Sequence, residues 1–217
     1  MRYELAIFDL DGTLLNTLSD LADAANAALK ECGYPARSME EVRTFIGNGV
    51  ARLIARAVPQ GTSDDAVASV LARFKAIYIQ NVNVKTAPYP GVMEMLETLN
   101  RRGVRCAVNS NKVDGAVRLL CDDHFAGLLS MALGEREGIP KKPAPDGARL
   151  IMQALGVAPE KTLYVGDGDA DLLTAKNAGI DCAWVSWGYR SRAELSGLDI
   201  THAFDSAARL TDFILSE

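Results

Sequence analysis

The chain has 217 residues, 48% of them apolar and 24% charged, with a net charge of −5 and a pI near 5.2. This is the profile of a globular chain with material for a sizeable core, and it excludes a disordered or fibrous one. The negative balance gives no global field to attract a polyanion, so nucleic-acid binding has no compositional support and any anionic ligand must be met by local positive groups.

The first predicted element is a strand over Glu4 to Phe8, which runs directly into Asp9-Leu10-Asp11-Gly12-Thr13. Alternate side chains of an extended backbone point the same way, so Asp9 and Asp11 can face one pocket if the strand geometry persists through Leu10. Two carboxylates side by side repel unless a cation or a shared proton relieves them, which points to a divalent metal, acid/base work or both. Taken alone, the pair also reads as a polar turn after a buried strand.

From about Leu15 to about Lys85 only helical patterns occur: Thr17 to Cys32, Met39 to Ile46, Val50 to Ala57 and Asp64 to Gln80, with Asp20, Ser38 and Asp64 as start signals. The breaker-rich stretch Thr86-Ala87-Pro88-Tyr89-Pro90-Gly91 then returns the chain. Beyond it, helices alternate with strands. The helices are expected over Val92 to Arg101, Asp114 to Cys121, Pro145 to Leu155, Asp169 to Ala178 and Ser206 to Leu215. The strands are expected over Val104 to Asn109, Leu128 to Leu133, Thr162 to Gly166 and Cys182 to Ser186, with a weaker one at Ala203 and Phe204. Strand then helix, repeated, implies an α/β fold: a Rossmann-like parallel sheet with helices on both faces, plus an inserted all-helical cap subdomain. The expected boundaries are 1–14 and 86–217 for the core domain and 15–85 for the cap.

Cys32, Cys106, Cys121 and Cys182 are widely spaced and contain no metal-binding pair, so they read as reduced thiols. The chain shows no basic segment followed by an apolar one at its start and no apolar run approaching ~18 residues. The expectation is a cytoplasmic protein without membrane or nucleic-acid partners. Composition does not address oligomeric state.

In open parallel sheets ligands bind beyond the carboxyl ends of the strands. Four polar clusters fall there: Asp9 and Asp11; Asn109-Ser110-Asn111-Lys112; Lys141-Lys142-Pro143-Ala144-Pro145; and Gly166-Asp167-Gly168-Asp169-Ala170-Asp171. In order and spacing these clusters resemble the four motifs of the haloacid dehalogenase-like superfamily, and the resemblance spans the whole chain. Trp187-Gly188-Tyr189-Arg190 is similar to the phosphoglycolate phosphatase-like branch.

The resemblance implies a Mg²⁺-dependent phosphomonoester hydrolase working through an aspartyl-phosphate on Asp9. It implies Asp11 as general acid and base, Lys142 as fixed positive charge, and Ser110 and Asn111 as phosphate ligands. The implied metal ligands are Asp9, the main-chain carbonyl of Asp11, and Asp167, with Asp171 supporting through water or Lys142. Lys142 is chosen over Lys141 because it immediately precedes Pro-x-Pro. Superfamily dehalogenases typically lack the second aspartate, so Asp11 favours phosphoryl transfer.

For Thr13 a hydrogen bond near Asp11 is expected, and Gly12 permits a tight turn. Trp184, Trp187 and Tyr189 read as packing residues, and His124 and His202 as structural. The substrate that the resemblance implies is a small phosphomonoester, with phosphoglycolate first. The alternatives are another small ester (nucleotide or sugar phosphate), pyrophosphate, a sugar phosphomutase reaction, or a non-catalytic binder. Within Arg43-Thr44-Phe45-Ile46-Gly47-Asn48-Gly49 the glycines break the helix, and a loop over the substrate space is expected. Arg43 is the candidate for the substrate's anionic end, with Arg52 and Arg56 behind it.

Overall fold

The computed structural model describes residues 2–47 and 49–216. The chain divides into two compact units, Met1–Leu15 with Pro88–Glu217, and Asn16–Ala87.

The first unit opens with β1 (Leu5–Phe8), all four residues buried. Two short strands, β2 (Leu15–Asn16) and β3 (Ala87–Pro88), stand where the chain leaves for the second unit and where it returns. That second unit is helical: α1 (Leu18–Glu31), α2 (Met39–Phe45), α3 (Val50–Ala57) and α4 (Asp64–Tyr78). Ser38 starts α2 with a full capping box, its hydroxyl accepting from the Glu41 N–H while the Glu41 carboxylate accepts from the Ser38 N–H. Ser63, one residue ahead of the expected Asp64, caps α4.

Asp20 stands in the first turn of α1, near the helix start it signals in the sequence. Thr17 stands at the N-cap of α1, and the Asp20 carboxylate is buried, accepting from the main-chain N–H groups of Val84, Lys85 and Thr86 and from the Thr86 hydroxyl. An acid in a first helical turn was free to face water. Here it satisfies the backbone of the returning segment instead.

After β3 the alternation runs α5 (Val92–Arg101), β4 (Arg105–Val113), α6 (Asp114–Phe125), β5 (Met131–Glu135), α7 (Asp146–Leu155), β6 (Thr162–Gly166), α8 (Asp169–Ala178), β7 (Asp181–Val185), β8 (His202–Phe204) and α9 (Ala207–Leu215). The six-stranded sheet has the order β5-β4-β1-β6-β7-β8, and every pairing is parallel. α7 and α8 pack together, as do α5 and α9. Leu5 and Ile7 of β1 join Ala148 and Ile151 of α7 and Ala175 of α8 in one core cluster, as period-two alternation demands.

β5 begins and ends later than the expected Leu128 to Leu133, and α6 and β4 run past their expected ends for physical reasons. α6 continues past Cys121 because Phe125, at its far end, is 1% exposed and anchors a further turn. β4 runs four residues beyond Asn109. Its register with β5 shifts so that Asn109 to Val113 stand against Leu133 to Glu135, a bulge that keeps the polar residues within the strand. No helix among the described residues is long and apolar enough to cross a membrane.

Candidate active site

β1 lies at the centre of the sheet, with β4 on one side and β6 on the other. The order of connections reverses at β1, and the polar residues that follow these three strands therefore converge. Asp9 directly follows β1, its N–H donating to the carbonyl of Val165 in β6. Asp167 follows β6, and Asp171 sits in the first turn of α8, where its carboxylate accepts from the Gly168 N–H. A ligand oxygen from each of Asp9, Asp167 and Asp171 lies within 4.8 Å of the others.

The Lys142 ammonium reaches into this group, 2.8 Å from Asp9 Oδ1 and 2.7 Å from Asp171 Oδ1. Asn111 fastens it there: its carboxamide donates to the Lys142 carbonyl and accepts from the Lys142 N–H. The family resemblance implies Asn111 as a phosphate ligand, and the geometry shows its side chain engaged with the lysine's main chain. Ser110 is buried, its hydroxyl accepting from the Lys112 N–H.

Asp167 is held from two sides. Oδ1 accepts from the Thr13 hydroxyl and Oδ2 from the Tyr189 N–H, while the Trp184 indole donates to the Asp167 carbonyl. Thr13 therefore serves Asp167 through its hydroxyl, and its carbonyl accepts from the Trp187 indole. Trp184, Trp187 and Tyr189 do pack, but each also donates a hydrogen bond to the frame of the site. Gly12 has φ +88°, and a Cβ there would stand 2.7 Å from both Asp167 oxygens.

The electrostatics are those of too many acids in too little water. Burial raises Asp9 to about 7, opposed by Lys142 and aided by Asp171. Burial, then Asp171 and Asp9, raise Asp167 to about 8 against the pull of the Tyr189 N–H and the Thr13 hydroxyl. Burial works against the Lys142 ammonium, but Asp171 and Asp9 together hold its proton well above the usual lysine range. The lysine is a permanent cation, and the carboxylates compete for what it leaves unbalanced.

Lys112 has no assigned role in the sequence reading. Its ammonium stands 2.7 Å from Asp11 Oδ1 and its side chain is 2% exposed. A lysine two residues past Ser110 in a strand that should already have ended was the available signal. Arg43 lies on α2, where its guanidinium bonds Glu40 at 2.8 Å. Arg56 donates to the Phe45 carbonyl, and Arg52 is exposed. Asn48 lies outside the described residues. The four cysteines are free, and His202 packs against Phe213 in a tilted arrangement with ring centroids 4.6 Å apart.

Residues 6–185 match the sequence model of the haloacid dehalogenase-like hydrolase family. The chain is 38% identical over 191 residues to the phosphoglycolate phosphatase of Pseudomonas putida KT2440, covering 85% of this chain and 70% of that protein. It is 35% identical over 216 residues to the phosphoglycolate phosphatase of Rhodospirillum rubrum, covering 96% and 89%. A crystal structure from Lactobacillus delbrueckii subsp. bulgaricus, provisionally named a phosphoglycolate phosphatase, is similar with a TM-score of 0.95 at 35% identity over 100% of both chains. CbbY from Rhodobacter sphaeroides, a mutant solved with xylulose-1,5-bisphosphate, is similar at a TM-score of 0.74 and 26% identity over 96% of both chains.

Proposed function

The chain belongs to the haloacid dehalogenase-like hydrolase family, and we propose that it is a Mg²⁺-dependent phosphatase that hydrolyses phosphoglycolate through an aspartyl-phosphate on Asp9. The observation that carries the chemistry is the gathering of Asp9, Asp167 and Asp171 within 4.8 Å around the Lys142 ammonium. The substrate reading is supported by the relatives named for phosphoglycolate.

The donor set fits Mg²⁺. It offers hard carboxylate oxygens from Asp9, Asp167 and Asp171 around a single lysine ammonium, so the acids outnumber the cation that balances them. Asp9, Asp167 and the main-chain carbonyl of Asp11 would hold the ion, with Asp171 tied to Lys142 beside them. When bound, Mg²⁺ supplies the charge that offsets repulsion between Asp9 and a phosphate dianion.

In the first half-reaction an Asp9 carboxylate oxygen attacks phosphorus, and Asp11 protonates the departing oxygen. In the second, Asp11 takes a proton from the water that attacks the aspartyl-phosphate. Lys142 holds Asp9 in its attacking position and carries positive charge to the phosphoryl oxygens, and Asn111 keeps the lysine in register. The Ser110 hydroxyl donates to a phosphoryl oxygen. The same reading places the protein in the cytoplasm, which its free cysteines support.

The test is phosphate release from a panel of esters with Mg²⁺ or with chelator, ranked by kcat/KM. Phosphoglycolate is expected to lead, turnover to require metal, and Asp9→Asn to lower kcat by roughly 10⁴-fold or more, as removal of a nucleophile does. Full activity in Asp9→Asn would overturn the mechanism. Preference for a sugar bisphosphate, of the kind seen bound to CbbY, would keep the mechanism and replace the substrate.

A further inference from the structure

Lys112 is a buried cation for which the chemistry above has no use. Taking an ammonium out of water is costly unless a partner compensates it, and Asp11 Oδ1, 2.7 Å away, is such a partner. The bulge in β4 between Asn109 and Val113 puts Lys112 in this place by keeping the strand within the sheet beyond its polar turn. The two buried lysines thus serve different acids: Lys142 contacts Asp9 and Asp171, and Lys112 contacts Asp11. Exposure within the second pair is unequal. The lysine side chain is 2% exposed and the Asp11 side chain 15%, so what a substrate can reach of this pair is the carboxylate.

We propose that Lys112 is a positioning residue for Asp11, fixing Oδ1 so that Oδ2 carries the proton exchanged with the ester's bridging oxygen. This rests on the reading of Asp11 as the acid and base of the proposed phosphatase. As Asp9 bonds to phosphorus, the bond from phosphorus to the bridging oxygen breaks, its electron pair stays on that oxygen, and the Oδ2 proton goes to it. In the return half, water gives a proton to Oδ2 as its oxygen bonds to phosphorus, and the electron pair of the Asp9–phosphorus bond returns to Asp9. A carboxylate free to rotate would meet the bridging oxygen only part of the time, so the ion pair contributes by orientation.

The experiment uses the leaving group as the readout. An alkyl ester such as phosphoglycolate departs as an alkoxide that needs the Asp11 proton, whereas p-nitrophenolate departs without one. Lys112→Met is expected to lower kcat on phosphoglycolate by about 10²-fold, within the range general acid catalysis supplies, with KM little changed. On p-nitrophenyl phosphate the loss is expected to be under about 5-fold, and Lys112→Arg is expected to restore part of the alkyl-ester rate. In an Asp11→Asn background Lys112→Met should add less than about 2-fold, because the two residues act as one. Lys112→Gln carries the same expectations should the methionine variant fail to fold. Equal losses on the two esters, or losses that multiply in the double variant, would overturn the inference while leaving the phosphatase intact. An Asp11→Asn protein that still cleaves the alkyl ester at the normal rate would instead remove the role of Asp11, and the inference with it.

Discussion

At Asp167 the side chain is fixed by groups outside the acid cluster. The Thr13 hydroxyl and the Tyr189 N–H take its two oxygens, and Gly188 passes so close that a Cβ there would lie 2.3 Å from Asp167 Cβ and 2.4 Å from the Gly12 carbonyl. Backbone on one side and a doubly bonded carboxylate on the other leave nothing that can give way. Gly188→Ala is therefore expected to destabilise the protein by about 1–3 kcal/mol, the usual cost of forced overpacking. It should also abolish the stabilisation that Mg²⁺ gives the wild type, read by urea unfolding with and without the metal. Retention of the full Mg²⁺ effect would show that the Trp187–Tyr189 turn does not set Asp167. The acids themselves were legible in the sequence because strand ends and motif spacing announce them. Their supports were not, because a main-chain N–H at Tyr189 or an indole at Trp184 leaves no mark that distinguishes a donor from a packing residue.

Whole elements were legible where burial and amphipathic pattern agree. Val50–Ala57, Val92–Arg101 and Asp169–Ala178 have the bounds their sequences suggest. β4 was not, since polar residues at 109–112 imply an end to a strand, and only contacts distant in sequence, Asn111 with Lys142 and Lys112 with Asp11, allow it to continue. Asp20 does mark the start of α1, but the partners of its side chain were not legible either. Its carboxylate gathers three N–H groups and a hydroxyl from 84–86, bonds that no local pattern encodes. Hydrogen bonds to a charged acceptor are strong, and their loss leaves buried donors without a partner. Asp20→Ala should thus cost about 3 kcal/mol by chemical unfolding, with faster amide exchange at Val84 to Thr86 as its local signature. An exchange pattern unchanged at those amides would contradict the assignment.

Across the whole molecule, the acid cluster couples stability to pH and to metal. Burial above all, with the neighbouring carboxylates, pushes Asp9 up to about 7 and Asp167 up to about 8 from an ordinary 3.8, so the folded state holds the extra protons. Their contribution to stability is present below the ordinary value and is lost as pH rises through 7 and 8. Metal-free protein should therefore lose thermal stability from this source between about pH 5.5 and about pH 8.5. Mg²⁺, which competes with those protons, should raise Tm more at the higher pH, as differential scanning fluorimetry in chelator and in Mg²⁺ would show. Equal Mg²⁺ shifts at both values would mean that the ion does not bind where the protons do.

The clip at Asp20 has a meaning for the history of such a chain. Because Asp20, in the first turn of α1, accepts from the main chain of Val84 to Thr86, the start and the end of the helical insertion are fastened to each other. An insertion closed on itself in this way can be trimmed, enlarged or exchanged while the strands that carry the acids keep their pairing.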